Sequence, residues 1–420
     1  METARNPISV SIARQPIFDE QKRLWGYELF CVGNAETTNS GFPEEPSVAI
    51  SVQSSAYFCL QQLTDKGKKI IVDFTEKSIL ENLPHALPPT LAAVKVEERV
   101  SQTPSVMESL VHLKSDGYLI AVEAFSGNPA CAPLYSLADI LSLEAGAGGK
   151  EELAAAIVPA RQYPAAALMA KRVQDQAQFK ICQELGFAFF HGAFFKSPDQ
   201  MTVRKLSSNQ VVRLKLLHLV EKDEPDLGRL AEEISSDATI SLRLLAYLNS
   251  AAFGLSHGIK SIPQAIALLG WRNVKSWLRV VLLTDIGQSK HAHELVLLSA
   301  QRGMFLKLVV RDHDFWGFAP ETMQLVGIFS LLDALLGVPM SEIVANLPLD
   351  NKMKAALCRQ PNNEYLPLLQ LAQLLEEARW TDGETLIQQL NLDSRKVKAA
   401  FQTSLDWVSK LESLHSAAPS

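Results

Sequence analysis

The chain has 420 residues, of which 47% are hydrophobic and 20% are charged, and its formal net charge is -6. This composition excludes an intrinsically disordered chain, and the mildly acidic balance argues against a large non-specific nucleic-acid surface. No apolar run reaches the roughly 18 residues of a membrane span, and the N-terminus lacks the continuous apolar segment of a secretory signal. We therefore expect a cytoplasmic protein of two or three domains, at about 100–200 residues each.

The number and spacing of the cysteines also favour a cytoplasmic protein. They are five in number, far apart and without a CxxC pair. That pattern argues against a disulfide framework and against a thiolate zinc site, and it favours a reducing environment.

The first 200 residues alternate between strand-like and helix-like segments. Predicted helices include 47–63, 103–117 with Thr103 as the N-cap, and a helix between Asp175 and Gly186. Such alternation predicts βα units, and about eight strands in this length favour a closed TIM-type (β/α) barrel, with its chemistry at the C-terminal strand ends. The short apolar runs that predict the strands lie at 9–18, 24–31, 68–74, 91–96, 117–125, 138–143, 166–171 and 187–192.

After a polar linker at 197–210 the pattern becomes helical. Apolar residues recur at helical spacing after Asp226, Asp237 and Ser261. Further amphipathic segments follow at 294–311, 321–336, 341–346, 365–378 and 395–413. The predicted organisation is thus α/β plus all-α, with a barrel over 1–200 and a helical domain over 201–420.

The predicted strands end in charged residues, and these are the candidates for a site. Several acids around a barrel mouth indicate divalent cations, which prefer carboxylate oxygens. The alternative is ordinary solvated charge. The strand-end residues are Glu28, Asp73, Lys95, Glu98, Glu123, Glu144, Lys171 and His191.

The opening of the chain resembles an EAL domain, whose members bind or hydrolyse cyclic di-GMP. Gln15-Pro16-Ile17 is followed by Gly26-Tyr27-Glu28. The resemblance implies a barrel in which active members hold two divalent metals and a nucleophilic water. It runs on through the segments 72–80, 94–100, 122–127, 138–144, 170–174 and 191–198, so that it covers nearly the whole first half.

Some positions keep what the resemblance implies for the metal site. Glu28 is the motif glutamate, and Asp73 stands where an asparagine ligand is expected. Glu98 keeps a glutamate that supports a neighbouring loop, and Glu123 stands at the first position of an aspartate pair.

Other positions depart from that pattern. Lys95 and Lys171 stand at two glutamate positions, and Ala124 replaces the second aspartate of the pair. A phosphate-contacting arginine is replaced by Val32, and the assisting lysine by Ser142. The six ligand positions therefore sum to a charge of about -1, against roughly -5 in the family pattern, and two dications about 3.5–4 Å apart need more negative charge than that. Each lysine adds repulsion of about 4 kcal/mol per charge pair at an effective dielectric near 20. We expect no bound metal or cofactor and no metal-dependent hydrolysis.

Nucleotide binding without catalysis is a separate question. Lys95, Lys171 and Arg172 offer charges for phosphate, and Gln15 survives at a position that touches the ligand in the family. The alternative is that Lys95 pairs with Glu28 or Glu123 and closes the mouth.

The second half resembles the HDOD domain, a helical relative of HD phosphohydrolases. The resemblance rests on the acidic helix start, Asp237, the segment 241–251 and the segment 259–270. A barrel of EAL type followed by HDOD resembles a class of bacterial regulatory proteins linked to motility, surface attachment or virulence control. His313-Asp314, His291 and His293 lack further ligands at suitable spacing, so we interpret them as surface residues and not as a hydrolase site.

Two features of the helical half bear on the kind of partner that it could bind. Arg272, Lys275 and Arg279 follow a helix–turn–helix spacing, but their helix is too apolar to lie in a DNA groove. Trp316 and Phe318 form a candidate aromatic tip, which would suit a protein interface, and a buried position is the alternative.

The sequence therefore predicts a non-catalytic regulatory or scaffold protein that binds a protein partner through its HDOD domain. It predicts no nucleic-acid or membrane partner, and it leaves a homodimer open. The alternatives are a metal-free cyclic di-GMP receptor and a residual cyclic di-GMP phosphodiesterase. The site residues are those at the degenerate EAL positions, Gln15, Glu28, Asp73, Lys95, Glu98, Glu123 and Lys171, with Trp316 and Phe318 as candidate partner contacts.

Overall fold

The structure is a computed structural model. It describes residues 11–32, 67–145, 149–196, 208–220, 270–286, 292–313, 317–345 and 349–416, with isolated positions at 228, 230, 231, 234, 264, 267 and 347. The predicted helix at 47–63 and those after Asp226 and Asp237 fall wholly or largely outside these residues. None of the described helices is long and apolar enough to cross a membrane.

Eight strands close into a barrel in sequence order, as the apolar runs predict. They are β1 Ser11–Asp19, β2 Leu24–Val32, β3 Lys69–Asp73, β4 Ala92–Glu97, β5 Leu119–Glu123, β6 Ile140–Glu144, β7 Ala167–Lys171 and β8 Phe189–His191.

Strand β1 departs from the parallel arrangement that repeated βα units imply. This strand pairs antiparallel with both β2 and β8, while the other neighbours are parallel. The reason is the short connection to β2, in which the Asp19 carboxylate accepts from the backbone N–H groups of Gln21 and Arg23. A turn this tight joins only antiparallel strands, because a parallel crossover needs a dozen or more residues.

Helices follow the strands from β3 onward. The helix before β8 has the predicted caps, since Asp175 accepts from the Gln178 N–H at 2.8 Å and Gly186 takes a φ of 90°. Thr103 precedes its helix, but its hydroxyl donates to Glu76 at 3.0 Å instead of capping. The helices are α1 Glu76–Leu80, α2 Pro104–Ser115, α3 Ala132–Leu137, α4 Lys150–Ala156 and α5 Gln176–Glu184.

The second half is helical, as predicted. Its described helices are α6 Ser208–Val220, α7 Trp271–Ile286, α8 Ala292–His313, α9 Pro320–Phe329, α10 Leu332–Leu336, α11 Met340–Ala345, α12 Asn351–Leu357, α13 Leu366–Glu376, α14 Trp380–Gln389 and α15 Ser394–Ser416.

Three details of this half differ from the prediction. Helix α6 begins inside the predicted linker, and α12 and α14 were not predicted. The single segment predicted at 321–336 is two helices, because the Ser330 hydroxyl donates to the Gly327 carbonyl at 2.7 Å and competes with the helix backbone.

The chain divides into two compact units. One comprises Met1–Ser197 and Leu374–Glu384, and the other Pro198–Gln373 and Thr385–Ser420. The predicted limit near residue 200 lies three residues from this division. The short segment Leu374–Glu384, which we predicted in the helical domain, groups with the barrel.

Candidate functional site

A layer of polar side chains lies above the apolar centre of the barrel. The apolar layer is a buried cluster of inward side chains. Because strand side chains alternate with a period of two, the next inward position on each strand lies two residues further toward the mouth. The apolar layer is Ile17, Ile71, Ala93, Ala121, Ile140 and Met169. The layer above it, here called the polar layer, is Gln15, Glu28, Asp73, Lys95, Glu123, Ser142, Lys171 and His191.

Glu28 lies at the centre of the polar layer. It is 1% exposed, and its Oε1 accepts hydrogen bonds from both Lys95 Nζ and Lys171 Nζ, each at 2.9 Å. Although burial acts to raise it, the ammonium groups of Lys171 and Lys95 hold the pKa of Glu28 well below its usual value. The carboxylate is therefore ionised and neutralised by this chain's own side chains.

Glu123 extends this ion cluster across the barrel. Lys171 Nζ donates to its Oε1 at 2.7 Å, and Lys95 Nζ lies 4.0 Å from its Oε2. Although burial acts to lower it, the carboxylates of Glu28 and Glu123 raise the pKa of Lys95 above its usual value. Both lysines are 8% exposed, whereas the Glu123 side chain is 27% exposed, so the cluster is shielded from solvent at Glu28 and the lysines and open at Glu123.

Asp73 is the last residue of β3 and pairs in register with Lys95 on the adjacent strand β4. Burial raises the pKa of Asp73, and the charge of Lys95 opposes that rise. The polar layer therefore contains three acids, Glu28, Asp73 and Glu123, together with the two lysines.

His191, one of the strand-end candidates named from the sequence, also belongs to this layer. Its Nε2 lies 3.4 Å from Oε2 of Glu28, without hydrogen-bond geometry. Burial lowers the pKa of His191 to about 4, against the opposing charge of Glu28, so the ring is neutral at pH 7. Its position at the end of β8 is the feature that made it a strand-end candidate.

Several buried polar atoms of the layer have no hydrogen-bond partner among the described residues. They are Oε2 of Glu28, Oε2 of Glu123, Oγ of Ser142 and both ring nitrogens of His191. Most buried polar atoms in proteins have a hydrogen-bond partner. These atoms therefore give the layer unused hydrogen-bonding capacity.

Glu98 and Gln15 serve other contacts. Glu98 accepts from the Ser126 hydroxyl at 2.7 Å, from the Ser126 N–H and from the Tyr135 hydroxyl, and so it holds the loop after β5. Gln15 donates its amide to the backbone carbonyl of Glu376 at 2.6 Å, within the unit that contains the barrel. Of the seven predicted residues, Glu28, Asp73, Lys95, Glu123 and Lys171 converge, Gln15 lies in the same layer but bonds to Glu376, and Glu98 lies outside it.

The residues of the mouth do not fit a divalent metal. Oε1 of Glu28 already accepts from two ammonium groups, and a dication bound there would repel both. Coulomb repulsion is about 4 kcal/mol per pair of unit charges at 4 Å and an effective dielectric near 20. Within the described part of the chain, no three His, Cys, Asp or Glu side chains are grouped so as to hold a metal ion.

The predicted surface features of the helical unit are mostly packed. The Phe318 ring meets the Tyr365 ring edge-on at 4.9 Å and is half-buried, while Trp316 lies outside the described residues. Arg279 is 3% exposed and its guanidinium lies over the Trp407 ring at 5.4 Å, so it is not presented to DNA.

His313, which the sequence analysis interprets as a surface residue, makes contacts through both ring nitrogens. It is the last residue of α8 and is partly buried. Its Nδ1 lies 2.8 Å from the Val309 carbonyl, and its Nε2 accepts from the Asp393 N–H at 3.1 Å. The Nδ1 contact lies within α8, and the Nε2 contact joins the end of α8 to the residue that precedes α15.

Comparison with known proteins finds a family match within the second half and relatives over most of the chain. Residues 206–316 match the HDOD domain. The chain is 29% identical over 412 residues to the uncharacterized protein YuxH of Bacillus subtilis, covering 96% of this chain and 98% of that protein. It is 28% identical over 406 residues to the cyclic di-GMP phosphodiesterase CdgJ of Vibrio cholerae, covering 94% of this chain and 91% of that protein.

Solved structures are similar to part of the chain. An EAL domain protein from Listeria monocytogenes is 17% identical with a TM-score of 0.36, covering 44% of this chain and 87% of that one. The calcium and cyclic di-GMP complex of BlrP1 from Klebsiella pneumoniae is 17% identical with a TM-score of 0.37, covering 46% and 56%.

Proposed function

We propose that this chain, a homologue of YuxH and CdgJ that contains an HDOD domain, is a non-catalytic regulatory protein of bacterial signal transduction. It acts through protein–protein contacts, and motility or surface attachment is the process that it regulates. The observation that carries the proposal is that Lys95 and Lys171 both donate to one oxygen of Glu28, at 2.9 Å each.

The competing proposal is a phosphodiesterase, because CdgJ carries that name. Metal-assisted hydrolysis needs a cation that lowers the pKa of a bound water and stabilises the leaving oxygen. In this chain the carboxylates that would hold such a cation are ion-paired to lysines that are 8% exposed. The charge balance therefore favours the non-catalytic function.

A metal-free receptor for cyclic di-GMP is disfavoured by the same contacts. A phosphate would have to compete with Glu28 and Glu123 for the ammonium group of Lys171, which donates to both. Breaking a buried ion pair leaves an uncompensated charge, which typically costs about 3–5 kcal/mol. The side chain of Gln15 is also engaged, with the Glu376 carbonyl.

The test of catalysis is incubation of the full chain with cyclic di-GMP and Mg²⁺ or Mn²⁺, with CdgJ as the positive control. We expect no product above the blank. Turnover that is lost in Glu28→Gln would overturn the proposal, and turnover that survives Glu28→Gln would indicate a contaminating enzyme.

The test of binding is calorimetric titration of cyclic di-GMP into the full chain, with and without Mg²⁺. We expect no heat of binding in either condition. Micromolar binding without metal, weakened in Lys171→Met, would instead support the receptor.

The test of the regulatory role is affinity capture of the tagged full chain from its native host after cross-linking. We expect a specific protein partner that is lost when residues 206–316 are deleted and retained when the barrel variant Glu144→Gln is used. Capture of no partner above an untagged control would contradict a scaffold function.

A further inference from the structure

The segment that joins α13 to α14 groups with the barrel and carries two adjacent acids. This segment, here called the docked turn, is Leu374–Glu384. Glu376 is the last residue of α13, and Glu377 follows it. Lys196, which follows β8, has its ammonium nitrogen 3.3 Å from Oε2 of Glu376 and 3.4 Å from Oε1 of Glu377. One cation of the barrel therefore meets both carboxylates of the docked turn.

The docked turn also reaches the polar layer of the barrel. Gln15 belongs to that layer, and its side-chain amide donates to the backbone carbonyl of Glu376 at 2.6 Å. The last carbonyls of a helix have no partner within the helix. The N–H groups of Ala378 and Arg379 bond to the two carbonyls before that of Glu376, as in a Schellman motif. The barrel supplies the donor for the carbonyl of Glu376.

The sequence of the docked turn is unfavourable for a helix end that has no external partner. A helix C-terminus carries partial negative charge, so acids are destabilising there and cations are stabilising. The last turn of α13 contains no basic residue, and Arg379, which follows it, pairs with Asp382 at 2.8 Å. Ala378 takes a φ of 53°, a left-handed conformation that a Cβ disfavours. The charge that this helix end lacks is supplied by Lys196.

Gln15 and Lys196 together recognise an acidic helix end by its carbonyl and its carboxylates. The Glu376 side chain is 3% exposed and that of Lys196 is 14% exposed, so the contact is largely removed from water. Complementary charges at such a contact select one kind of partner over another. We propose that Gln15 and Lys196 form a binding surface for an acidic helical segment of a partner protein, and that the docked turn occupies this surface until the partner replaces it. The inference rests on the proposed function, in which the chain acts through protein contacts.

The experiment titrates the full chain into a fluorescein-labelled synthetic peptide of residues 370–384 and measures fluorescence anisotropy. In the wild type the docked turn competes with the peptide as a tethered segment, whose effective concentration is high. The release variant, Glu376→Gln/Glu377→Gln in the full chain, removes both carboxylates from the competitor and leaves Gln15 and Lys196 unchanged. We expect it to bind the peptide about tenfold more tightly than the wild type or better, because the apparent affinity scales with the fraction of open surface.

Two controls separate recognition at Lys196 from a general change in charge. Lys196→Met, added to the release variant, removes the cation of the surface and should abolish the gain in affinity. Glu364→Gln/Asp382→Asn makes the same change in charge at exposed acids that pair with Lys352 and Arg379, and it should bind the peptide as weakly as the wild type. Hydrogen exchange over residues 374–384 should be faster in the release variant than in this control.

Equal affinity of the wild type and the release variant for the peptide would overturn the inference, as would a gain in affinity that survives Lys196→Met. If circular dichroism shows that the release variant does not fold, Glu377→Gln is measured instead, since that side chain is 23% exposed, and wild-type affinity there also overturns the inference. Hydrolysis or binding of cyclic di-GMP would end the proposed function, whereas these peptide results would end only this inference.

Discussion

The ammonium nitrogen of Lys171 lies 2.9 Å from Oε1 of Glu28, although the two residues are 143 positions apart in the chain. The contact exists because β2 and β7 both direct an inward side chain into the layer above the apolar centre of the barrel. Burial makes it important to stability, since neither charge can be solvated if the other is lost. The stability of the barrel therefore depends on residues that resemble a metal site in position but not in charge.

Replacing the central carboxylate should destabilise the barrel strongly. Glu28→Gln leaves Lys95 and Lys171, each 8% exposed, without their principal counter-charge. Because removing one partner of a buried ion pair typically costs about 3–5 kcal/mol, we expect a loss of that order in the free energy of unfolding measured with urea. The control is Glu144→Gln, since the Glu144 side chain is 53% exposed and pairs with Arg172 at 3.4 Å. An equal loss in the free energy of unfolding for Glu28→Gln and Glu144→Gln would contradict the assignment of Glu28 as the central counter-charge of the two lysines.

His191 should make the protein less stable in mild acid. Burial lowers the pKa of His191 to about 4 in the folded state, from an unfolded value of 6.5. Between these values the unfolded chain binds more protons, so stability falls as the pH decreases from about 6.5 to about 4, by about 3 kcal/mol in total. We expect His191→Gln to flatten this part of the pH profile of the unfolding midpoint.

The same comparison removes the contributions of other groups. Glu28, whose folded pKa is lowered, contributes stability that is lost as the pH falls through that pKa. Asp73, whose folded pKa is raised by burial, makes a contribution of the opposite sign, which increases stability as the pH falls. Both are present in the wild type and in His191→Gln, so the difference between the profiles reports His191. Identical slopes between pH 4.5 and 6.5 would show that the ring is not buried in its neutral form.

Glu98 should order the loop that follows β5. It accepts hydrogen bonds from the Ser126 hydroxyl, the Ser126 N–H and the Tyr135 hydroxyl. Glu98→Ala leaves these donors without their acceptor, which we expect to cost about 1–3 kcal/mol and to speed hydrogen exchange over residues 124–131. The adjacent Glu97→Ala is the control, because Glu97 is exposed and pairs only with exposed Arg99 among the described residues. Unchanged exchange in Glu98→Ala would argue against this role.

Two glycines set the distance between α8 and α9. A Cβ added at Gly327 would lie 2.6 Å from Cα of Gly303, which is backbone and cannot move aside alone. We expect Gly327→Ala to destabilise the helical unit by about 1–3 kcal/mol, the usual range for overpacking, as measured by urea unfolding. Gly383→Ala is the comparison, because its Cβ would meet only the end of the Leu375 side chain, at 3.0 Å. A neutral Gly327→Ala would mean that the helices are less closely packed.

Local sequence patterns accounted for the elements whose causes are local. Apolar runs of strand length and the alternation with helices were enough to predict eight strands and a closed barrel. Asp175 and Gly186 fixed the ends of α5, because an N-cap side chain and a C′ glycine act within one turn of the helix. The strand-end rule also identified Glu28, Asp73, Lys95, Glu123 and Lys171 as neighbours, since the ends of parallel strands meet at one edge.

Only the tertiary structure decided how those neighbours are paired. Lys95 and Lys171 both select one oxygen of Glu28, and Glu98 turns away to the loop at Ser126, because barrel closure and side-chain rotamers set these contacts between distant residues. The neutrality of His191 likewise depends on burial, which no local pattern specifies. The sequence determined which charges reach the mouth of this barrel, and the fold determined that they neutralise one another, because ion pairing depends on distances of a few ångströms that arise only when the barrel closes.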